Sequence, residues 1–507
     1  MLRKIRITLA IITFTLITVM FLDFTGTLHA WFGWLAKIQF LPALLALNFV
    51  VVVALIVLTL IFGRIYCSVI CPLGVFQDCV SAVNNRREKK NRFRFKWSES
   101  WGIVRPLILL IFGAVICYGA TSLAGIIAPY SAWGRIVTNL FAPIYQFGNN
   151  ILAFFAERVD SYAFYSTDVW IKSIPTFIVA ALTFIIISVL AWKNGRVYCN
   201  TICPVGTVLG IISKYSFFKI QIDTEKCNGC KLCGKGCKAS CINTEEHYVD
   251  HSRCVMCMDC INNCKQGAIS YKPAYKLFAK VTPEEEAAAA EVHANRGRRN
   301  FIIASAIATS SATLKAQELK VDGGLAAVKQ KKPLKRDTPL KPAGSVSLRN
   351  FSNNCTACQL CVSACPNGVL RPSTDLATFM QPEMSFERGY CRPECSKCSE
   401  VCPAGAILKI SAPEKTAIKI GTAIPVHKNC IVHTDDVKCG NCARHCPSGA
   451  IKMVENRGGL RHPDGSIRMV PIVNEELCIG CGACENLCPA QPFSAIHVEG
   501  IQVHRNI

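Results

Sequence analysis

Cysteines dominate the chemistry that this chain of 507 residues can perform. It contains 31 of them, and most recur in runs close to the pattern C-x2-C-x2-C-x3-C. Disulfide-rich domains are usually short, with irregular cysteine spacing, and zinc ribbons use two CxxC pairs without a fourth cysteine before a proline. The repeated spacing is typical of [4Fe–4S] ligands, in which the fourth cysteine reaches a neighbouring cluster.

Four such groups lie in the last third of the chain, and in each the fourth cysteine precedes a proline, as in bacterial ferredoxins. The predicted ligands are Cys355, Cys358, Cys361, Cys365, Cys391, Cys395, Cys398, Cys402, Cys430, Cys439, Cys442, Cys446, Cys478, Cys481, Cys484 and Cys488. The sequence does not settle their pairing: exchange of fourth cysteines between adjacent groups is the simpler arrangement, and the alternative pairs the first group with the fourth and the second with the third. Either pairing predicts four clusters.

A second cysteine block lies closer to the N-terminus and predicts two further clusters, six in all. Its expected ligands are Cys227, Cys230, Cys233, Cys237, Cys254, Cys257, Cys260 and Cys264. Lys238 and Lys265 stand where proline is usual, and an extra Cys241 follows the first group. The distant ligand can therefore be Cys237 or Cys241, and we favour Cys237.

Two copies of a C-x3-C-P motif form a third kind of site. "GRIYCSVICPLG" at 63–74 returns as "GRVYCNTICPVG" at 195–206, with cysteines at Cys67, Cys71, Cys199 and Cys203. A spacing of four puts both cysteines of a motif on one helical face, so two symmetric halves could hold one additional iron–sulfur cluster. The alternative is reduced thiols or a redox disulfide at the membrane surface.

Hydrophobic segments predict a membrane domain in the first 215 residues. Mean hydropathy is +0.30, and apolar segments at 7–22, 41–62, 107–128 and 175–192 are long enough, or nearly so, to cross a hydrocarbon core of about 30 Å. Basic residues crowd the loop after the second segment, from Arg86 to Lys96. Since cytoplasmic loops carry an excess of Lys and Arg, both ends of this four-helix unit are expected in the cytoplasm.

A twin arginine, Arg298 and Arg299, begins "RRNFIIASAIA" and is typical of a twin-arginine export signal. The alternative is a basic linker followed by an ordinary helix. We predict an α-helical membrane domain (1–215), a cytoplasmic two-cluster ferredoxin-like α+β domain (216–280), a linker (281–350) with the Tat-like segment at 296–313, and a periplasmic four-cluster ferredoxin-like domain (351–507). The apolar part of the Tat-like segment could remain as a fifth, short anchor.

Other features narrow the function. The formal net charge of +22 does not indicate a nucleic-acid partner, since six clusters with their thiolates contribute roughly −12. No CxxCH motif occurs, and His29 is the one histidine of the membrane half, so haem is not expected. His29 and Asp23 could take protons from quinol or be structural, and Tyr130, Trp133 and Arg135 are expected in an interfacial belt.

The helices, the two C-x3-C-P motifs and the two-cluster domain resemble the NapH family of membrane electron-transfer proteins over residues 1–280. Residues 296–507, with "GRRNF" and four cysteine groups, are similar to NapG; MauN and MauM are also similar, and the NosR family shares the membrane part. The resemblance implies a NapH–NapG fusion in the inner membrane that oxidises quinol, a quinol dehydrogenase. Its electrons would pass to a periplasmic reductase, nitrate reductase in the best-known case, or to that enzyme's electron carrier. Lys238 and Lys265 depart from the pattern, and no FMN-attachment domain of the NosR kind is evident.

Clusters on opposite sides of a membrane about 30 Å thick are too far apart for one efficient electron hop. A mobile quinol or an intermediate cluster near the C-x3-C-P motifs must bridge them. We predict that the chain relays electrons rather than transforming a substrate by acid–base chemistry, because no catalytic triad or carboxylate pair stands out. The resemblance implies that quinol is the electron donor. The alternatives are an assembly or maintenance protein of the CcoG type, which would reduce a metal centre in a partner enzyme, and a redox sensor.

Overall fold

The computed structural model describes residues 2–23, 26–86, 95–100, 102–161, 164–167, 169–274, 321–322, 326–327, 331–456 and 461–507. All 31 cysteines lie within these ranges. The predicted Tat-like segment at 296–313 and most of the predicted linker lie outside the described residues.

The first part of the chain is helical. Its helices are α1 (Leu2–Leu22), α2 (Thr27–Phe32), α3 (Trp34–Lys37), α4 (Phe40–Leu45), α5 (Phe49–Phe62), α6 (Ile65–Val69), α7 (Pro72–Asn85), α8 (Val104–Cys117), α9 (Thr121–Ile127), α10 (Pro129–Ile136), α11 (Ala142–Glu157), α12 (Ile174–Asn194), α13 (Val197–Thr201) and α14 (Pro204–Ser213), with a π-helical turn at Val137–Phe141. Within the described residues, α1 and α12 are long and apolar enough to cross a membrane.

Two of the predicted apolar segments are not continuous helices. Segment 41–62 breaks between α4 and α5, where Leu47 has a φ of 52° and the side chain of Asn48 accepts a hydrogen bond from the amide of Val51 at 3.3 Å. Segment 107–128 breaks between α8 and α9 at Gly119, whose φ is 86°. Hydropathy cannot detect these breaks, because the residues on both sides remain apolar.

The proximal module is a small ferredoxin-like unit. Its strand β1 (Phe218–Ile222) is antiparallel to β4 (Ile269–Pro273), and β2 (Ile242–Asn243) pairs with β3 (Tyr248–Val249). The short helices α15 (Leu232–Lys235) and α16 (Asp259–Asn263) each contain the third cysteine of a run. This alternation places each run in a loop that leads into a helix.

The distal module repeats this architecture. Its helices are α17 (Leu348–Asn354), α18 (Leu360–Ala364), α19 (Lys397–Val401), α20 (Ala412–Ala417), α21 (Ile431–Thr434), α22 (Asn441–Arg444) and α23 (Ala483–Asn486). After an isolated pair, β5 (Val321–Asp322) with β6 (Ala326–Ala327), antiparallel pairs join β7 (Leu370–Pro372) to β8 (Pro382–Met384), β9 (Ile418–Pro425) to β12 (Ile496–Asn506), and β10 (Ile451–Glu455) to β11 (Met469–Val473).

The two modules contact opposite ends of the helical part. At the start of α1, Arg3 forms an ion pair of 2.7 Å with Asp259 of the proximal module. Just beyond its end, a Cβ atom on Gly26 would lie 3.3 Å from Nζ of Lys397 in the distal module. Since α1 has 21 residues and a helix rises 1.5 Å per residue, about 31 Å separates these ends.

Helix α5, which runs in the opposite direction, gives the same arrangement. At its C-terminal end, the carbonyl of Leu60 accepts a hydrogen bond of 2.6 Å from the amide of Phe217, which precedes β1. Ahead of its N-terminal end, Ala46 lies 3.7 Å from the Cβ position of Gly405 in the distal module. The helices therefore stand between the two cysteine-rich modules.

Candidate iron–sulfur sites

The two C-x3-C-P motifs form matching turns. α6 ends ahead of Cys71, and Pro72 opens α7; α13 ends ahead of Cys203, and Pro204 opens α14. Proline suits the first helical position because its missing N–H would have no partner there. In both copies, the cysteine before the proline has an extended backbone, so the two halves adopt one local structure.

The four cysteines of these turns come together in one buried tetrad, Cys67, Cys71, Cys199 and Cys203. Each is 4% exposed, and their thiols are close enough to interact electrostatically. Both turns are tightly packed: a Cβ atom on Gly74 would lie 2.3 Å from the carbonyl oxygen of Cys67, and one on Gly206 would lie 2.2 Å from that of Cys199. The repeat therefore builds a single site from two halves.

Hydrogen-bond donors surround the sulfur atoms of the buried tetrad. Gln77 donates from Nε2 to Cys199 over 3.2 Å, and the amide of Gly206 donates to Cys203 over 3.3 Å. Arg64 Nη2 lies 3.8 Å from the sulfur of Cys67. Donors directed at sulfur favour the thiolate over the thiol and tune the potential of a bound cluster. This donor set fits an anionic iron–sulfur cluster.

The buried tetrad lies between the two modules. On one side, Arg64 Nη1 donates to the carbonyl of Ser252 in the proximal module over 3.0 Å. On the other, Tyr66 donates to Gln39 over 3.0 Å, and Tyr198 donates to the carbonyl of Ile127 over 2.6 Å. Gln39 and Ile127 belong to segments that adjoin the distal module.

The proximal module contains two cysteine-lined cavities. The first is lined by Cys227, Cys230, Cys233 and Cys264, and the second by Cys237, Cys241, Cys254, Cys257 and Cys260. Each cavity thus takes three cysteines of one run and a distant cysteine from the other. Among the described residues, no three His, Cys, Asp or Glu side chains converge closely enough to bind a single metal ion.

Both candidates for the distant ligand reach the second cavity. The sulfur atoms of Cys237 and Cys241 are 3.5 Å apart. Their hydrogen bond lowers the pKa of Cys237 and raises that of Cys241. Both sulfur atoms line the same cavity, so either can serve as the distant ligand.

The distal module brings adjacent groups together. One cavity is lined by Cys355, Cys358, Cys361 and Cys402, and another by Cys365, Cys391, Cys395 and Cys398. The remaining cysteines interact as Cys446 with Cys478, Cys481 and Cys484, and as Cys488 with Cys430, Cys439 and Cys442. The first group therefore exchanges its fourth cysteine with the second, and the third with the fourth.

Burial controls the state of these thiols. It raises the pKa of Cys358 and of Cys442 to about 11, and that of Cys481 to about 12. Because a ligand must be deprotonated, metal binding at such thiols releases protons. The cavities are built from apolar walls and convergent sulfur atoms, which is the donor set of a [4Fe–4S] cluster.

Lys238 stands where proline is usual after the fourth cysteine, and its side chain makes ion pairs that a proline could not make. Its side chain is buried and forms ion pairs with Asp78 of α7 at 3.1 Å and with Asp259 at 3.0 Å. Asp78 also pairs with Arg6 at 2.9 Å and with Arg196 at 2.8 Å. This buried network joins the proximal module to the helices that carry the tetrad.

The expected interfacial belt is wrong for Tyr130, Trp133 and Arg135. They lie on α10, which is buried along its whole length, with exposures of 3%, 1% and 0%. A Cβ atom on Gly134 would lie 2.4 Å from the carbonyl oxygen of Cys358, so α10 packs directly against the first distal site. Tyr130 is close enough to interact electrostatically with Tyr66, beside the tetrad, and with Cys358.

Polar contacts hold the first distal site against the helical part. Thr121 donates to the carbonyl of Cys355 over 2.9 Å, Asn139 donates to Gln359 over 2.7 Å, and Lys172 donates to the carbonyl of Val362 over 2.9 Å. Sequence reasoning missed these residues, because nothing local distinguishes them from other polar residues near apolar segments. These residues are recognisable only from tertiary contacts, which join positions 190 to 234 residues apart in the sequence.

His29 and Asp23 form a buried pair, with Nδ1 3.2 Å from the carboxylate. Asp23 also accepts the amides of Gly26 and Leu28 at 2.9 Å. Burial lowers the pKa of His29, while Asp23 opposes that shift. The carboxylate thus caps the turn after α1, which is the structural role.

Family profiles match the cysteine-bearing regions. A profile described as a 4Fe-4S binding domain matches residues 44–91 and 174–223, the two segments that contain the C-x3-C-P motifs. Two profiles described as 4Fe-4S dicluster domains match residues 250–369 and 437–491. No solved structure matches the chain.

Curated relatives match parts of the chain. The methylamine utilization ferredoxin-type protein MauM of Methylophilus methylotrophus is 30% identical over 170 residues, which cover 32% of this chain and 71% of MauM. The ferredoxin-type protein NapG of Escherichia coli is 28% identical over 184 residues, covering 34% and 77%. An uncharacterized protein of Methanocaldococcus jannaschii is 34% identical over 112 residues, or 22% of this chain, which spans 43% of that protein's length.

Proposed function

Because this chain belongs to the ferredoxin-type family that includes MauM, we propose that it passes electrons from membrane quinol through [4Fe–4S] clusters to a periplasmic reductase or that enzyme's carrier. Several [4Fe–4S] clusters and an electron-transfer role follow from the matched domains and relatives. The donor, the acceptor and the number of clusters are the proposed parts.

The position of the buried tetrad carries this proposal. It lies between cysteine sites at opposite ends of the helices. The helix α10 packs against the first distal site, and its Tyr130 interacts with Tyr66 beside the tetrad. A single hop across about 30 Å would be inefficient. A redox centre at the buried tetrad would divide that distance into shorter steps, which supports an electron relay through the chain.

A cluster in the buried tetrad would be the seventh. Four buried cysteines, donors at three of the sulfur atoms and the profile match at 44–91 and 174–223 support it. When bound, such clusters carry one electron at a time. The chain itself supplies the ligands, shields them from water and fixes their spacing.

The proposed location is the inner membrane, with domains at 1–215, 216–280, 281–350 and 351–507 and with α1 and α12 crossing it. The modules at opposite ends of the helices support a cytoplasmic proximal module and a periplasmic distal module. Trp97, directly after the basic stretch that ends at Lys96, lies 4.8 Å from the guanidinium of Arg253 in the proximal module, which agrees with a cytoplasmic basic loop. A NapH–NapG fusion, with an export segment at 296–313 at its seam, accounts for such a chain.

Purified full-length protein in lipid nanodiscs tests the donor. Menaquinol or ubiquinol is added without oxygen, and cluster reduction is followed by EPR, with dithionite as the positive control. Reduction of the clusters by quinol is expected. Clusters that accept electrons from dithionite but from neither quinol would overturn the donor. In a deletion strain, a fully metallated but electron-starved partner enzyme supports relay, whereas a metal-deficient one supports maintenance.

A further inference from the structure

Arg135 is a buried cation that pairs with no carboxylate in the part of the chain that the structure describes. It lies on α10 with no exposed surface, and its Nη1 and Nη2 donate to the carbonyls of Gly125 at 2.9 Å and Ile126 at 3.0 Å. Its Nε has no hydrogen-bond partner among the described residues. Among the described residues, Asp and Glu pair with other buried cations, such as Arg196 and Lys238, but not with Arg135.

An unpaired buried charge is strongly unfavourable. Neutral carbonyls satisfy two of the donors of Arg135 but do not balance its charge. The groups able to carry negative charge that interact with its guanidinium are Cys358 and Tyr198. Cys358 belongs to the first distal site, and Tyr198 adjoins the cysteines of the buried tetrad.

We propose that Arg135 is the counter-charge of the cluster held by Cys355, Cys358, Cys361 and Cys402, and that it raises that cluster's reduction potential. Adding an electron to a cluster makes it more negative, and a fixed cation in a low-dielectric interior stabilises the reduced form. Electrons that cross the helices are thereby favoured on the distal side. The role of this charge in electron transfer rests on the proposed relay, but the effect of Arg135 on the cluster's reduction potential can be measured without it.

Arg135 acts on the cluster through its charge and is not one of the cluster's ligands. A purely structural role would rest on its bonds to Gly125 and Ile126, which close the turn between α9 and α10. The two roles separate in variants that retain a hydrogen-bonding side chain but differ in charge. The readout is the cluster's reduction potential: the charge role predicts that Arg135→Lys keeps it and that Arg135→Gln lowers it.

The test is an EPR-monitored redox titration of the full chain with chemical mediators, so quinol is not involved. In Arg135→Gln, the equilibrium constant for reduction of one cluster is expected to fall about tenfold, which lowers its potential by about 59 mV for one electron. In Arg135→Lys, the potential is expected to match that of the wild type. Arg105→Gln is the matched control: this buried arginine bonds to Ser252 at the proximal end, and the distal potentials should not change.

Arg135→Met keeps the test decisive if Arg135→Gln does not fold. It removes the charge but leaves an unbranched side chain of similar length in the buried space on α10. The same potential should fall. If all clusters are bound and every potential equals that of the wild type in the variant that folds, the proposal is overturned.

Discussion

Arg64 donates a hydrogen bond from Nη2 to the carbonyl oxygen of Cys199, 3.1 Å away. The second motif makes the equivalent hydrogen bond, in which Arg196 Nη1 donates to the carbonyl of Cys67 over 2.6 Å. Each motif's arginine therefore fixes the other motif's cysteine turn. Neither half completes its site alone, which explains why the arginine recurs with the cysteines in both copies.

Replacing one cysteine of the buried tetrad should remove one cluster. In Cys71→Ser, iron content is expected to fall by about four atoms out of about 28, because a [4Fe–4S] cluster rarely survives the loss of a thiolate ligand. Iron analysis and EPR of the full chain measure this. Cys79→Ser is the control, since Cys79 lies on the same helix α7 but is exposed. Equal iron in the two variants would contradict a cluster at the tetrad.

The contact between α9 and the first distal site should not tolerate a methyl group. A Cβ atom on Gly125 would lie 2.2 Å from the carbonyl oxygen of Thr356. Gly125→Ala is therefore expected to weaken docking of the distal module by about 1–3 kcal/mol, the usual cost of overpacking.

Limited proteolysis measures this docking, as faster release of the distal module. Gly148→Ala is the control, because no atom of the described residues lies within 4 Å of its Cβ position on α11. If both alanine variants release the module at the wild-type rate, the contact does not hold the two parts together.

The sequence predicted the iron–sulfur character because ligand spacing is local, and the family profiles confirm it. The break at Gly119 and the burial of Tyr130 and Arg135 were not predictable in the same way. The environment of these residues depends on which distant segment covers them. An apolar segment next to a basic one has the same sequence pattern whether lipid or protein surrounds it. Pairing among the distal groups stayed open for the same reason, since the spacing within one run does not show which other run packs beside it.

The five cysteines of the second proximal cavity should not be equivalent. Cys237 completes the C-x2-C-x2-C-x3-C spacing of its run, whereas Cys241 lies outside that spacing, so we expect Cys237 to be the ligand. Cys237→Ser is expected to lose one cluster, whereas Cys241→Ser should keep it with a changed EPR signal. Iron analysis of the two variants side by side measures this. Cluster loss in Cys241→Ser alone would make Cys241 the ligand.

Lys238 should be far more important than Lys265, although both stand where proline is usual. Lys238 is buried between Asp78 and Asp259, whereas Lys265 is exposed. Lys238→Met leaves both carboxylates with less counter-charge, and breaking a buried ion pair costs about 3–5 kcal/mol. Because Asp78 keeps Arg6 and Arg196, the lower end of that range is expected.

The measurement is the apparent melting temperature of the full chain in detergent, together with the reduction of distal clusters by a donor to the proximal module. Lys238→Met should lower both, because the ion pairs hold the second proximal cavity against the helices that carry the tetrad. Lys265→Met should resemble the wild type in both. A Lys238→Met protein with an unchanged melting temperature would mean that the network around Asp78 holds without its lysine, and that the loop geometry alone orients the proximal module.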